Sequence, residues 1–242
     1  MSTPRFYCAR MLAAGLTMTL PAETFHHAVR VRRLREGDAL ILFSGDGREA
    51  LAVLVGVSRD AGEVAISSLN AVSRESPLRL TLLQGLSTAD RMDYTLQKAV
   101  ELGVATIMPV LAQRSIVRLD RERADKRAAH WRQIVVSACE QCGRNVIPEV
   151  MPLLPLEAAL AALGLRHGYI LSLNGGAQMR DLPLPGGPIA LLAGPEGGLT
   201  DEEESAARGS GFKPISLGPR ILRTETAGVA ALAAMQAVWG DG

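Results

Sequence analysis

With 242 residues, 48% of them hydrophobic, the chain has material for one large domain or a small one beside a medium one, each with its own core. Its apolar runs fall well short of the roughly 20 residues a membrane span needs, and the start MSTPRFYCAR lacks the apolar core of a signal peptide, so a cytoplasmic protein with no membrane partner is expected. A net charge of +1, with 8 basic and 7 acidic residues in the first 73, excludes a globally basic nucleic-acid binder and leaves only local patches for that purpose.

In chain order, Ala22 to Leu34 reads as a helix, with Phe25, Val29 and Leu34 apolar and Arg30, Arg32, Arg33 and Arg35 charged. The period then shortens. Ala39–Phe43, Ala50–Val57 and Glu63–Leu69 are β-type runs, and Ser44-Gly45-Asp46-Gly47 between the first two is a hairpin signal. A small β-rich domain over residues 1–73 is expected, with a linker over Asn70–Pro77. After Pro77 strands and helices alternate. Leu78–Leu83 precedes Asp90–Leu102, Thr106–Val110 precedes Arg121–Cys142, Glu149–Met151 precedes Leu156–Leu163, and Tyr169–Leu173 runs into a Gly/Pro-rich loop. This order predicts an α/β domain over 74–242 with a mostly parallel sheet and helices on both faces.

Cys139 and Cys142 form a C-x-x-C, but at the end of a helical pattern, with Gly143 as its C-cap and no further ligands at matching spacing. A packing role is expected, and no metal site. All but three of the 26 basic residues are arginine; this suits phosphate recognition, although a codon bias produces the same skew.

The most informative stretch is IALLAGPEGGLTDEEESAARGSGFKPISLGPRILRTETA, from Ile189 to Ala227. Two apolar strands, Ile189–Ala193 and Pro214–Leu217, each stop at glycine, and each is followed by helix-start chemistry, the place where α/β sheets build ligand sites. Thr200 and Glu203 have the spacing of a capping box. Glycine lets a ligand ring approach the backbone, whose free N–H and C=O groups then read a nucleoside edge. Neither G-x-G-x-x-G nor G-x-x-x-x-G-K-[ST] is present, so a nucleoside would not be held by those devices.

GPEGGLTDEE followed by LGPRILRTETA resembles the SPOUT-class RNA methyltransferases and, within them, the RsmE family, which methylates N3 of a uridine in 16S ribosomal RNA. Arg91-Met92-Asp93 through Gln97-Lys98-Ala99-Val100-Glu101-Leu102-Gly103, Cys139-Glu140-Gln141-Cys142-Gly143-Arg144-Asn145, and His26-His27 leading to Val29-Arg30 carry the same resemblance along nearly the whole chain. One departure lies at Ser87-Thr88-Ala89, where related sequences often have a glycine. The resemblance implies a PUA-like barrel at residues 1–73, a C-terminal domain with a trefoil knot, S-adenosylmethionine as cofactor, 16S rRNA within the 30S subunit as partner, and a homodimer. It implies cofactor contacts from Leu192, Gly194, Gly198, Leu217, Gly218, Ile221, Leu222 and Thr224, with Arg220, Arg223, Glu196 and Glu225 lining the same cleft. Arg114, Arg144 and Asn145 are its candidate RNA contacts, while Arg30, Arg32 and Arg33 are expected to attract RNA phosphate because their cluster, with Arg35, contains no acid until Glu36.

Uracil N3 carries a weakly acidic proton, so a site that methylates it has to favour the anion through a base or nearby positive charge. The two arginines and two glutamates supply both kinds of group, and the proton acceptor stays unassigned. Two other classes compete: a non-catalytic rRNA-binding assembly factor, which leaves the two glycine-rich loops unexplained, and an NAD-type enzyme, which lacks its fingerprint.

Overall fold

A computed structural model describes residues 3–117, 120–164, 167–172 and 175–242 and divides the chain into two compact units. The first is the chain up to Glu75 together with Cys139–Ile147; the second is Ser76–Ala138 with Pro148–Gly242.

The first unit is built on β1 (Arg5–Tyr7), β2 (Thr17–Thr19), β3 (Ala39–Phe43), β4 (Arg48–Val57) and β5 (Gly62–Ala71), in the order β1-β3-β4-β5-β2. All neighbours are antiparallel except β1 and β3. Along β4, Ala50, Ala52 and Leu54 face the core while Leu51, Val53 and Val55 face outward, the period of two that marks a half-buried strand. Phe6, Leu12, Leu20, Phe25, Leu40 and Ile66 complete that core. The helix expected from Ala22 to Leu34 is shorter and differently wound: α1 (Ala22–Phe25) passes into a π-turn over His26–Val31. Arg33, the one non-glycine residue with positive φ among the described residues, then turns the chain out at φ 60°. Leu34 consequently reaches the core from the connecting segment rather than from the helix.

Cys139–Ile147 supplies this unit with a buried polar clamp. Glu49 accepts from Arg5 (2.6 Å), Arg74 (3.0 Å) and Asn145 (3.3 Å), and Asn145 also accepts from Arg5 (2.6 Å) and donates to the Val72 carbonyl (2.8 Å). Burial opposes the charge on Glu49, yet these donors outweigh it and hold its carboxyl below the ordinary carboxylate value. Gly143 takes φ 90° as its amide donates to Cys139 O, the glycine cap read from the sequence. Burial drives the Cys139 thiol up to about 12, so Cys139 contributes packing here rather than a reactive thiolate.

The second unit contains β6 (Leu80–Gly85), α2 (Ala89–Glu101), β7 (Thr106–Leu111), most of α3 (Arg121–Cys142), β8 (Glu149–Val150), β9 (Leu154–Pro155), α4 (Leu156–Leu163), β10 (His167–Leu171), β11 (Ala177–Gln178), β12 (Ile189–Ala193), α5 (Asp201–Gly209), β13 (Phe212–Ser216) and α6 (Thr224–Trp239). Every pairing in its eight-stranded sheet is parallel, in the order β11-β13-β10-β12-β6-β7-β8, with β9 also on β7. Of the strand read as Tyr169–Leu173, Leu173 lies outside the described residues. β12 is buried at all five positions, as a central parallel strand covered on both faces has to be. Strand order reverses between β6 and β12, and such a switch point opens a crevice at the carboxyl ends of the strands. α6 packs on α2 and β12, and its buried Gln236 accepts from Ser76 (2.9 Å) and donates to Leu102 O (2.7 Å). Among the described residues no helix is long and apolar enough to cross a membrane.

Candidate active site

The carboxyl ends of β6 and β12 converge so closely that a Cβ on Gly85 would meet the Pro195 nitrogen at 2.3 Å, so only glycine closes β6 beneath this loop. Beyond β12 the loop 194–200 rises and ends in α5, whose start carries the full capping box: Thr200 accepts from the Glu203 amide and Glu203 from the Thr200 amide. The second loop, 217–223, leads from β13 to α6. Thr224, the first residue of α6, joins the two: its hydroxyl donates to Gly194 O at 2.6 Å and accepts from Gln84 Nε2 at 3.0 Å. One buried threonine and one buried glutamine thereby tie β6, the first loop and α6 into a single piece.

The expected cofactor residues fall on these loops in different ways. Leu192 is fully buried with its side chain in the hydrophobic core, so what it offers a ligand is its backbone. Gly198 and Gly218 take φ 70° and 103°, and a Cβ on Gly198 would meet no protein atom within 4 Å, which leaves its backbone open to an approaching ring. Leu217 and Leu222 are half-buried, whereas Ile221 is 80% exposed. Glycine backbone with clear space beside it, together with buried carboxylate oxygens lacking donors, fits a ligand that carries a flat nucleoside and several N–H or O–H groups.

Arg220 and Arg223 are exposed on the second loop. Glu196 and Glu225 are brought to a common partner that the sequence-derived site did not include: Arg91 Nη1 lies 3.2 Å from Glu196 Oε1, and Arg91 Nε lies 3.6 Å from Glu225 Oε2. Glu196 Oε1 also accepts from the Thr88 amide at 3.0 Å. Burial raises the Glu196 pKa, but the Thr88 bonds and the Arg91 charge outweigh it, so its carboxyl sits below the ordinary range. Arg114 joins the first loop by donating to Leu199 O at 3.1 Å.

The remaining arginines belong to the first unit. Arg32 and Arg33 are exposed; Arg30 stacks on Phe25 and donates to Arg59 O. Arg144 is only 4% exposed and engages Glu75 through Nε at 2.9 Å, so its guanidinium is committed to the fold of that unit. Gly85, Gln84 and Arg91 were absent from the sequence-derived site because each acts through a partner remote in the chain. The one available signal was the Arg91-Met92-Asp93 run opening a helix.

Known proteins match both units. The family model described as RNA methyltransferase domain matches residues 74–236, and the one described as RNA methyltransferase PUA domain matches residues 20–67. The ribosomal RNA small subunit methyltransferase E of Bacillus subtilis is 34% identical over 231 residues, 90% of this chain and 89% of that one. Among solved structures, a ribosomal RNA small subunit methyltransferase E from Neisseria gonorrhoeae bound to S-adenosyl methionine is 44% identical with a TM-score of 0.93, covering 99% of each chain. A putative methyltransferase from Legionella pneumophila in complex with the bound cofactor SAM is 40% identical with a TM-score of 0.96 over 100% of each chain.

Proposed function

The chain belongs to the ribosomal RNA small subunit methyltransferase E family, and from that membership we propose that it methylates N3 of one uridine of 16S rRNA in the 30S subunit. It is an S-adenosylmethionine-dependent enzyme in this reading. The observation that carries it is the junction of the two C-terminal loops through Thr224 and Gly194, which forms one glycine-lined cradle at the switch point of the sheet.

The backbone of Gly194, Gly198, Leu217, Gly218 and Leu222, with Leu192 beneath, would hold the cofactor. When bound it supplies a methyl carbon whose bond to a sulfonium breaks, the electron pair staying on sulfur, as the uracil nitrogen bonds to it. The chain's own part is alignment and charge. Holding nucleophile and methyl in line removes much of the entropic barrier, and Arg220 and Arg223 favour the N3 anion by placing positive charge where negative charge develops. Glu196, held ionised by Thr88 and Arg91, is a poor proton acceptor at neutral pH and serves better as a fixed acceptor of hydrogen bonds.

Arg30, Arg32 and Arg33 dock RNA from the N-terminal unit in this proposal, and Arg114 contacts it beside the cofactor loops. A homodimer through the apolar C-terminal helix, a trefoil knot around the cofactor loops and a cytoplasmic location belong to the same reading. Sedimentation at low concentration that finds only active monomer removes the dimer.

Mass mapping of small-subunit rRNA from a deletion strain, before and after adding the protein back, is expected to show one uridine gaining a methyl group. No change points instead to a non-catalytic assembly factor. Gly198→Val tests the cofactor loop separately. Forcing a β-branched residue to positive φ strains the loop by about 1–3 kcal/mol, which corresponds to roughly 5- to 150-fold weaker S-adenosylmethionine binding by calorimetry; unchanged affinity removes the loop assignment.

A further inference from the structure

Arg91 stands in the first turn of α2, where a cation works against the helix dipole. Helix chemistry therefore gives no reason for it. Its surroundings do: it reaches Glu196 from the loop after β12 and Glu225 from the first turn of α6. Two carboxylates share one guanidinium, so the trio keeps an excess negative charge. Glu196 Oε2 and Glu225 Oε2 are both buried without a hydrogen-bond donor, the Arg91–Glu225 approach being an ion pair longer than a hydrogen bond. Buried acceptors in native proteins nearly always have partners, and both reactants of the proposed reaction carry donors: an ammonium and ribose hydroxyls on the cofactor, N3–H on the uracil.

We propose that Arg91 is a positioning residue of the methyl-transfer site, fixing Glu196 and Glu225 so that their unpaired oxygens accept N–H or O–H donors from the bound reactants. The inference rests on the function proposed above. It explains why Glu196 is gripped at one oxygen only: the Thr88 amide and Arg91 both take Oε1, and Oε2 is left for the ligand. The other charged groups on the surrounding elements include Arg114, which donates to Leu199 O, Asp90 and Asp93 on α2, the latter paired with His130 at 2.8 Å, Lys98 and Glu101 paired with each other late in α2, and Arg220 and Arg223 before α6.

The test is single-turnover methylation of 30S subunits across pH, beside S-adenosylmethionine calorimetry, for wild type, R91M, R91K, E225Q and the R91M/E225Q double variant. R91M is expected to lose between about 10- and 100-fold in rate or cofactor affinity, as misplaced reacting groups do. Weaker cofactor binding identifies the donors as the cofactor's; a slower rate at unchanged affinity identifies the uracil's. Without the cation the Glu196 carboxylate holds its proton more tightly, so the acid limb of the rate profile moves up by about one pH unit, and R91K moves it back. The double variant should be no worse than R91M, because loss of Arg91 already releases Glu225, along with Glu196, from its position. An unmoved acid limb in R91M, or additive losses in the double variant, overturns the proposal even if the rate falls together with the melting temperature. Should R91M fail to fold, R91K decides: a lysine lacks the fork that spans both carboxylates, so a wild-type rate overturns the proposal and a reduced rate at unchanged melting supports it. Wild type that methylates beside an unaffected R91M defeats Arg91 alone, whereas wild type that transfers no methyl group defeats the functional reading and this inference together.

Discussion

Two clusters of arginine and glutamate, one in each unit, are built from the same residue types in opposite proportions. In the N-terminal unit Glu49 receives Arg5, Arg74 and Asn145, and Arg144 closes on Glu75, so three guanidiniums serve two carboxylates, although Glu75 Oε1 is left without a donor. In the C-terminal unit one arginine serves Glu196 and Glu225, and two buried oxygens are left without donors. The first cluster has a cation for each of its carboxylates, so its negative charge is neutralised within the fold. The second has one cation for two carboxylates and keeps capacity for a ligand's donors, so the ratio of cations to carboxylates separates the two where residue type does not.

The sharpest way to break the comparison is Glu49→Gln. It leaves Arg5 buried with its charge uncompensated, and breaking a buried pair costs about 3 kcal/mol. Urea denaturation should register that loss while S-adenosylmethionine affinity, measured below the transition, stays at the wild-type value. Equal damage to cofactor binding would mean that the clusters are not separable. Arg223→Ala should behave in the opposite sense, changing stability by no more than about 0.5 kcal/mol because the side chain is exposed, and lowering turnover by roughly 100-fold if it stabilises developing charge. Wild-type turnover in this variant removes Arg223 from the site.

Smaller effects sharpen the contrast from the surface. Replacing Arg30 and Arg32 by alanine should weaken RNA binding and flatten its salt dependence by roughly one unit of slope for each phosphate that is no longer neutralised, with cofactor affinity unchanged. Matching wild type at two salt concentrations rules out the N-terminal unit as a docking platform of this kind. The smallest expected effect is in acid. Glu49 and Glu196 both have pKa values lowered from 4.5, against burial and by their donors. As acid is added the unfolded chain takes up these protons first, so the stability they contribute is fully present above their ordinary value and is lost as pH falls through the lowered ones. Glu49→Gln should flatten the stability profile below about pH 4.5, the ordinary carboxylate value, and an unaltered profile would show that the clamp does not perturb Glu49.

The sequence made some of this legible and hid the rest for physical reasons. Ile189–Ala193 is legible to the residue because a strand covered on both faces is written as an unbroken apolar run between turn signals. Arg121–Cys142, the Thr200–Glu203 box and the Gly143 cap are equally local. The strands Arg5–Tyr7 and Thr17–Thr19 escape such a reading, since three residues carry no period and their pairing is decided by β3 and β5. At the site, glycine loops and arginines stand out within one short stretch. The bond from Thr88 to Glu196 spans 108 residues, and no local pattern encodes such a pairing. Arg144 misleads for the same reason: an arginine after a glycine cap looks like a surface cation until Glu75 is placed beside it.

The insertion of Cys139–Ile147 into the N-terminal unit sets an order of events during synthesis. The first 75 residues leave the ribosome without Asn145, so Glu49 and Arg5 wait for a partner that is translated only after β6, α2, β7 and most of α3. Domains usually fold as units from the N-terminus while translation proceeds, but here the earliest-made unit is completed in the middle of its successor. Closure of that long loop carries an entropic cost that the finished clamp, with the bonds of Glu140 to the Tyr7 amide and His27, helps to offset. Nascent chains arrested before residue 139 should therefore remain sensitive to protease across the N-terminal strands, and chains arrested well beyond 147 should gain protection there, whether or not the cofactor loops have yet been made.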